Sequence, residues 1–438
     1  MKLITARYRL TLLVVLLTIP NWAGADGSQP PGAESPAIEG EIPIEGRTLS
    51  LAEATDRALR YSPELASDRA QAGAIAGRAT QAAVWLNPQV DVMVENVAGS
   101  GTYEKADLAE TTLTLAQPIE LGGQRAKRQR IIALGQRRLE GQTQTHRLTI
   151  SAEVHKRFLR VLLGQERRAL TAEIERVSAE ALRAIEGNTS GAALAERGQI
   201  RLVLSRSRLD ARLAEQQIVA ARRQLAAMWD DSETSFTAAG SLEEVAPPPP
   251  LEELVARLEH SPELARWDAE IERRIAGIAL ARADRVPGVT LYAGARHFNA
   301  TDDFAGVFDI AVPLPLFDRN QGAILEAQQL LEVARADRDA AALDARTELL
   351  AAYDELRIQF ERISQLGVDT IPQAKMASTE ALEAYRRGSF NSTDVLATQR
   401  ALFDLRDEYY TALAEYHAAL VDVERLTTGF VGKEEAAR

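Results

Sequence analysis

Ser62-Pro63-Glu64-Leu65-Ala66 recurs as Ser261-Pro262-Glu263-Leu264-Ala265, 199 residues further along a chain of 438. At the same offset Leu59 matches Leu258, Pro88 matches Pro287 and Val90 matches Val289. Gln117-Pro118-Ile119 parallels Leu314-Pro315-Leu316 at an offset of 197, and Gly187 and Leu225 match Gly388 and Leu426 at 201. An offset that drifts so little means that one unit was used twice, so the fold must consist of two like halves. The first repeat is expected over 49–229 and the second over 251–429. The stretch 230–250, which ends in Pro247–Pro250, reads as the linker between them. Residues 26–48, rich in Pro, Gly and Glu, read as a flexible lead-in, and 430–438 as a C-terminal tail.

Each repeat has the same order of elements. A helical segment comes first, at about 49–84 and 251–285, with Pro63 and Pro262 expected in a first helical turn. Two alternating segments follow. Val90, Val92 and Val94 alternate with Asp91, Met93 and Glu95, and Leu113 and Leu115 with Thr112, Thr114 and Ala116. In the second repeat Val289, Leu291 and Ala293 alternate with Thr290, Tyr292 and Gly294, and Phe308, Ile310 and Val312 with Val307, Asp309 and Ala311. Period-2 apolarity predicts strands with one apolar face. Gly99-Ser100-Gly101 and Asn299–Asp303 supply the loops of two hairpins. Long helical stretches come next: 122–186 lacks Pro and 320–387 contains only Pro372. The first, of 65 residues, would reach about 98 Å as a helix, too long for a compact domain. Leu402, Leu405, Tyr409, Leu413, Tyr416, Leu420 and Val423 form a heptad-like seam, and Ile150, Val154, Phe158 and Val161 begin another. The expected fold is mainly α with a small β part, built of long antiparallel coiled-coil helices and four strands per chain.

The N-terminus narrows the compartment. Lys2, Arg7 and Arg9 precede an apolar run from Leu10 to Ile19, and Ala23-Gly24-Ala25 fits a cleavage site, so 1–25 reads as a signal peptide. Without it the chain carries 48 basic and 63 acidic residues, a net charge of −15. That balance argues against nucleic acid as a partner. Absence of Cys excludes disulfides, thiolate metal sites, a Cys nucleophile and an acylated N-terminal Cys. No later stretch has 18 consecutive apolar residues, so the chain does not cross a membrane as helices. A periplasmic or secreted protein, or an outer-membrane β-barrel, remains. Four strands cannot close a barrel alone, because open edges are not viable in lipid.

The strand-to-helix junctions are the most specific motifs. The first reads Gln117-Pro118-Ile119-Glu120-Leu121-Gly122-Gly123-Gln124-Arg125, the second Pro313-Leu314-Pro315-Leu316-Phe317-Asp318-Arg319-Asn320-Gln321-Gly322. Pro118, Pro313 and Pro315 withhold ladder donors and are expected to end strands. Gly122, Gly123, Asn320 and Gly322 permit a bend from sheet into helix. These junctions resemble those of TolC-like outer-membrane efflux proteins. They are most similar to the CzcC-like branch, which serves cobalt–zinc–cadmium efflux pumps, and the resemblance spans essentially the whole mature chain. It implies a homotrimer whose twelve strands form one barrel in outer-membrane lipid above a periplasmic helical tunnel. It also implies two partners, a periplasmic adaptor and an inner-membrane proton-driven transporter, and passive conduction of cargo, with heavy-metal cations the first candidate. Arg125, Lys127, Arg128 and Arg130 would then lie just below the membrane, or form an ordinary solvated helix start; cations near a helix N-terminus need tertiary partners. Phe298, Phe304, Tyr103 and Phe317 are candidates for interfacial belts.

No convergent catalytic set is visible, so neither an enzyme nor a cofactor is expected. His146 and His155 fall on opposite faces of one helix, and only Met93, Met228 and Met376 follow Met1, too few for a soft-metal ladder. Gly388-Ser389-Phe390-Asn391-Ser392-Thr393-Asp394 resembles the periplasmic tip of the second helical hairpin in the family, where acidic side chains narrow the pore. Asp394 falls on such a position. It is equally a candidate N-cap, as are Ser392 and Thr393. The position three residues on is Ala397; in the first repeat Ala193 stands at the site of Asp394 and Glu196 at that of Ala397. A weaker or differently built acidic ring is therefore expected. Two other readings stay open: a multidrug or type I secretion channel, and a periplasmic coiled-coil scaffold or adaptor that never enters lipid.

Overall fold

The computed structural model describes residues 48–185, 191–231, 235–387 and 389–427. The expected signal peptide, nearly all of the lead-in and the C-terminal tail lie outside the described residues.

The Ser-Pro-Glu-Leu-Ala repeat is a helix start. Helix α1 (Leu51–Tyr61) opens with a capping box between Ser50 and Glu53, and α2 (Pro63–Ala83) follows at once. Ser62 accepts the Leu65 N–H, Pro63 sits where no donor is needed, and Leu65 is buried. The same solution recurs after α5 (Leu251–Leu258): Ser261 caps α6 (Pro262–Ala283), with Pro262 in its first turn and Leu264 buried.

Each helix pair leads into two antiparallel strands and then long helices. Strands β2 (Gln89–Glu95) and β3 (Glu110–Ile119) precede α3 (Gln124–Ile185) and α4 (Gly191–Ala226). Strands β5 (Val289–Phe298) and β6 (Asp303–Ala311) precede α7 (Gln321–Gln365), α8 (Ile371–Arg386) and α9 (Ser392–Thr427). Helix α3, with 62 residues, is about 93 Å long. Pro372 does not break the helical run from α7 to α8. A π-helical turn at Leu366–Thr370 widens the backbone just before it, and the helix continues.

The sheet order is β2-β3-β5-β6, antiparallel throughout. The helices nearest the sheet repeat that order: α2 packs on α3, α3 on α6 and α6 on α7. Further away α4 packs on α3, α3 on α9, and α9 on α7 and α8. The seams expected from sequence form the contact between them. Val154, Phe158 and Val161 of α3 and Leu413, Tyr416 and Val423 of α9 are buried.

The stretch 230–250 is packed rather than loose. Within it β4 (Thr237–Ala238) pairs in parallel with β1 (Thr48–Leu49). Gln165 of α3 holds Ala238 by both its N–H and its C=O, Tyr416 donates to the Ala246 carbonyl at 2.6 Å, and Phe236 and Leu242 are buried.

Candidate functional site

Cross-strand register gives the sheet two unlike faces, because residues directly opposite in antiparallel strands share a face. Val92 pairs with Leu113 and Leu113 with Ala295; Val90 pairs with Leu115, Leu115 with Ala293 and Ala293 with Phe308. Leu291 pairs with Ile310 on the same side. All large apolar members of this face are exposed, from Leu291 at 40% to Phe308 at 84%. Nothing among the described residues covers them. A continuous exposed apolar face of this kind marks a surface made for lipid or for a partner. Among the described residues no helix is long and apolar enough to cross a membrane.

The other face is polar. It carries Asp91, Glu95, Glu110, Thr112, Thr114, Arg296, Asp303 and Asp309. Arg296 of β5 donates to Thr112 at 2.9 Å and Glu110 at 2.8 Å, and its other terminal nitrogen lies 3.1 Å from Glu95. Phe298 pairs with both Asp303 and Glu110 and so belongs to this polar face, apart from Phe304. Its expected place in an apolar belt is therefore corrected: strand parity turns it the other way. Phe304, Tyr103 and Phe317 are exposed. At the helix-proximal end of the sheet Trp85, Leu86, Leu314 and Leu316 are exposed as well.

The junctions hold the turn from sheet to helix. Gly122 and Gly123 have φ of +71° and +70°, a region that L side chains enter at a cost. A Cβ on Gly122 would lie 3.3 Å from the Ala283 carbonyl and from Val286. In the second half Asn320 takes the left-handed conformation, with φ of 56°, and its side chain donates to the Ala281 carbonyl at 2.7 Å. Gly322 is no part of the bend. It lies inside the first turn of α7 with open space around it. Pro118 does not end its strand either. It pairs with Thr290, one residue before the end of β3, past the point where β2 stops at the Gln89–Ala116 pair. With one neighbouring strand left, a missing donor is tolerated. Pro313 and Pro315 follow the end of β6.

The basic start of α3 has its tertiary partners. Arg128 makes a two-pronged contact with Glu120, at 2.5 and 2.8 Å, and Arg125 stacks 4.5 Å over Trp85. Lys127 donates to the Gly122 carbonyl, and Arg130 lies 3.8 Å from Glu272. These contacts offset the unfavourable field of the helix N-terminus.

At the far end of the helices Asn391, not Asp394, caps α9. The Asn391 side chain accepts the Asp394 N–H at 2.9 Å. Asp394 occupies the first turn, where a carboxylate favours the helix dipole, and is partly exposed. The capping role considered for Asp394 is thus corrected: its N–H is capped by Asn391, three residues earlier, while the side chains of Ser392 and Thr393 lie outside the described residues. Glu196 of α4 is hydrogen-bonded to the Tyr385 hydroxyl of α8; burial first, then that carboxylate, raises the phenol above its ordinary value. The two acidic candidates therefore differ, Glu196 being tied to a neighbour and Asp394 contributing its carboxylate to a helix start.

The histidines have ordinary partners: His146 with Asp68 at 2.8 Å, His297 with Asp302 at 2.9 Å, His417 with the Leu242 carbonyl at 3.0 Å. Among the described residues no three His, Asp or Glu side chains converge as a metal site would require.

Residues 254–429 match the family described as outer membrane efflux protein. That match spans about two fifths of the chain, within its second half. The chain is 29% identical to the cobalt-zinc-cadmium resistance protein CzcC of Cupriavidus metallidurans over 80% of its length and 83% of that protein's. It is 26% identical to the nickel and cobalt resistance protein CnrC of the same organism, over 68% of this chain and 72% of that one. Among solved structures CusC superposes with a TM-score of 0.69 at 16% identity, covering 90% of this chain and 96% of that one. The chain thus shares the TolC-like channel fold. Sequence reasoning missed two of its functional features. Arg296 is invisible as a strut until register brings β2, β3 and β5 side by side, and Trp85 stands just outside the alternating segment that would have drawn notice.

Proposed function

We propose that this chain is an outer-membrane efflux protein, one third of a homotrimeric channel in a tripartite pump that exports heavy-metal cations. One observation carries the reading: a sheet with an uncovered apolar face, a charged opposite face and two open edges, β2 and β6. Such a sheet is unstable in water and in lipid alike until another copy pairs with each edge and bilayer covers the apolar side. Three copies give twelve strands, with Asp91, Asp309 and the other charged residues lining the lumen. Strands of 7 to 10 residues suit a tilted crossing. Mechanism is passive conduction. The channel supplies a water-filled path, and an inner-membrane proton-driven transporter supplies energy and selects cargo. A periplasmic adaptor docks at the helical end and opens it. Three copies of Asp394 narrow that end as a ring that favours cations, with Glu196 the second acidic contributor. The metal cargo follows from the similarity to resistance proteins for cobalt, zinc, cadmium and nickel.

The test is deletion and complementation. The deletion strain is expected to lose tolerance to cobalt, zinc or cadmium salts and to keep tolerance to hydrophobic antibiotics, with wild type restoring growth. The reverse pattern would move the cargo to drugs. In planar bilayers Asp394→Ala is expected to relieve block by trivalent cations added from the helical side; unchanged block would place the aperture elsewhere.

A further inference from the structure

The loop-proximal end of the sheet holds an arrangement that passive conduction does not call for. Glu95 and Glu110 are direct cross-strand partners on the polar face. Their Cβ atoms are therefore about 5 Å apart, and like charges in that relation repel. Two carboxylates at this spacing can also grip one divalent cation with hard oxygen ligands. Arg296 fills that position. Its guanidinium reaches across from β5 to Glu110 at 2.8 Å and Glu95 at 3.1 Å, and its Nε is fixed by Thr112 at 2.9 Å. Glu110 also accepts from Asn96 at 3.4 Å. The four strands contain no other Lys or Arg. Closer to the helices Asp91 and Asp309 lie on the same face, and among the described residues neither has a salt-bridge partner.

We propose that Arg296 is a tethered substitute cation that stops the outer mouth of the channel from trapping divalent ions. The proposal rests on the channel reading above. A cation moving outward passes Asp309 and Asp91 first; in the outermost row, which also carries Asp303, it meets a carboxylate pair whose two charges Arg296 halves. Exit requires the final sites to bind weakly, and a permanently bound guanidinium makes them weak by occupying them. An arginine suits the role because its fork engages two carboxylates at once and never loses its charge.

The experiment uses purified full-length channels in planar bilayers, with Zn²⁺ or Mg²⁺ added on the side of the strand loops. Arg296→Gln is expected to lower the concentration for half-block about tenfold or more, in line with the coupling of close charge pairs. Arg296→Lys, which keeps the charge but loses the fork, should fall between wild type and Arg296→Gln. The triple variant R296Q/E95Q/E110Q should lose the added block, which a merely structural role for Arg296 would not predict. If Arg296→Gln alone does not assemble, R296Q/E95Q keeps one carboxylate and should give intermediate block. Equal block in wild type and the Gln variants, or block that persists in the triple variant, overturns the proposal. Wild-type protein that forms no channels would instead overturn the channel reading.

Discussion

Phe308 and Val307 are neighbours in β6 at nearly the same depth, yet they point to opposite sides of the sheet. Phe308 shares its face with Ala293, Leu115 and Val90; Val307 shares the other with Gly294, Thr114 and Asp91. Both rows lie near the middle of the strands, where an outward Arg on a barrel costs about 2–4 kcal/mol, and the cost falls to about 0–1 kcal/mol near the interfaces. Phe308 is 84% exposed, so no side chain of its own chain shields an Arg placed there. In a three-fold assembly the penalty counts three times, about 6–12 kcal/mol per channel. That is comparable with the whole stability of a typical domain. Phe308→Arg is therefore expected to abolish membrane-inserted trimer, read as the fraction that resists dissociation in detergent after isolation from outer membranes. Val307→Arg should insert close to normally, because its guanidinium meets water and the Asp309 carboxylate two residues along the same face. Val92→Arg should behave like Phe308→Arg. Ile310→Arg, nearer the helical end, should be milder. Equal insertion of the Phe308 and Val307 variants would refute the assignment of faces, and with it the barrel.

Gly122→Ala should lower the thermal midpoint of the trimer, since φ of +71° costs an L residue about 1–2 kcal/mol before the contact with Val286 is counted. Gly322→Ala, in open space within α7, should be neutral or slightly stabilising; the opposite order in a melting assay would contradict the junction geometry. Burial raises the Glu424 carboxyl to about 6. Its contribution is thus fully present below the ordinary value of 4.5 and is lost as pH rises through 6. Glu424→Gln should then stabilise by about 1–2 kcal/mol at pH 8 and hardly at all near pH 4, measured by melting of detergent-solubilised protein.

Much of this was legible in the residues themselves. Alternation of Val90 to Glu95 or Phe308 to Ala311 depends only on the pleat, so strands and faces could be read without a partner. Ser62-Pro63 and Ser261-Pro262 carry their own capping chemistry. What failed needed information from outside the segment. Phe298 counted as an interfacial aromatic until strand parity put it opposite Glu110 and Asp303. Gly322 resembled a hinge, but the left-handed residue is Asn320, whose side chain bonds to α6 across the junction. Asp394 was a candidate cap, but its N–H is the group capped, by the Asn391 side chain three residues earlier. In the inter-repeat stretch 230–250, Phe236 and Leu242 are buried, a packing that the Pro247–Pro250 run does not announce.

In the proposed trimer the helical part closes with the same three-fold rotation as the sheet, and its outer helices carry the means to do so. Away from the sheet α4 bounds one side of the helix layer, and α8, the continuation of α7, bounds the other. On α4 the exposed leucines are Leu202, Leu209 and Leu213, spaced 7 and 4 apart and therefore on one stripe. On α7 and through the π turn, Leu343, Leu350, Ile358 and Val368 are exposed along a similar line. Among the described residues both stripes are left exposed. In the proposed trimer the α4 stripe of one subunit meets the α7–α8 stripe of the next, a head-to-tail contact that closes because β2 and β6 impose the same rotation above it. The π turn then has a structural reason. Its extra backbone absorbs Pro372 without a kink, so the apolar line continues from Ile358 to Val368 and the edge stays straight enough to be covered along its whole length.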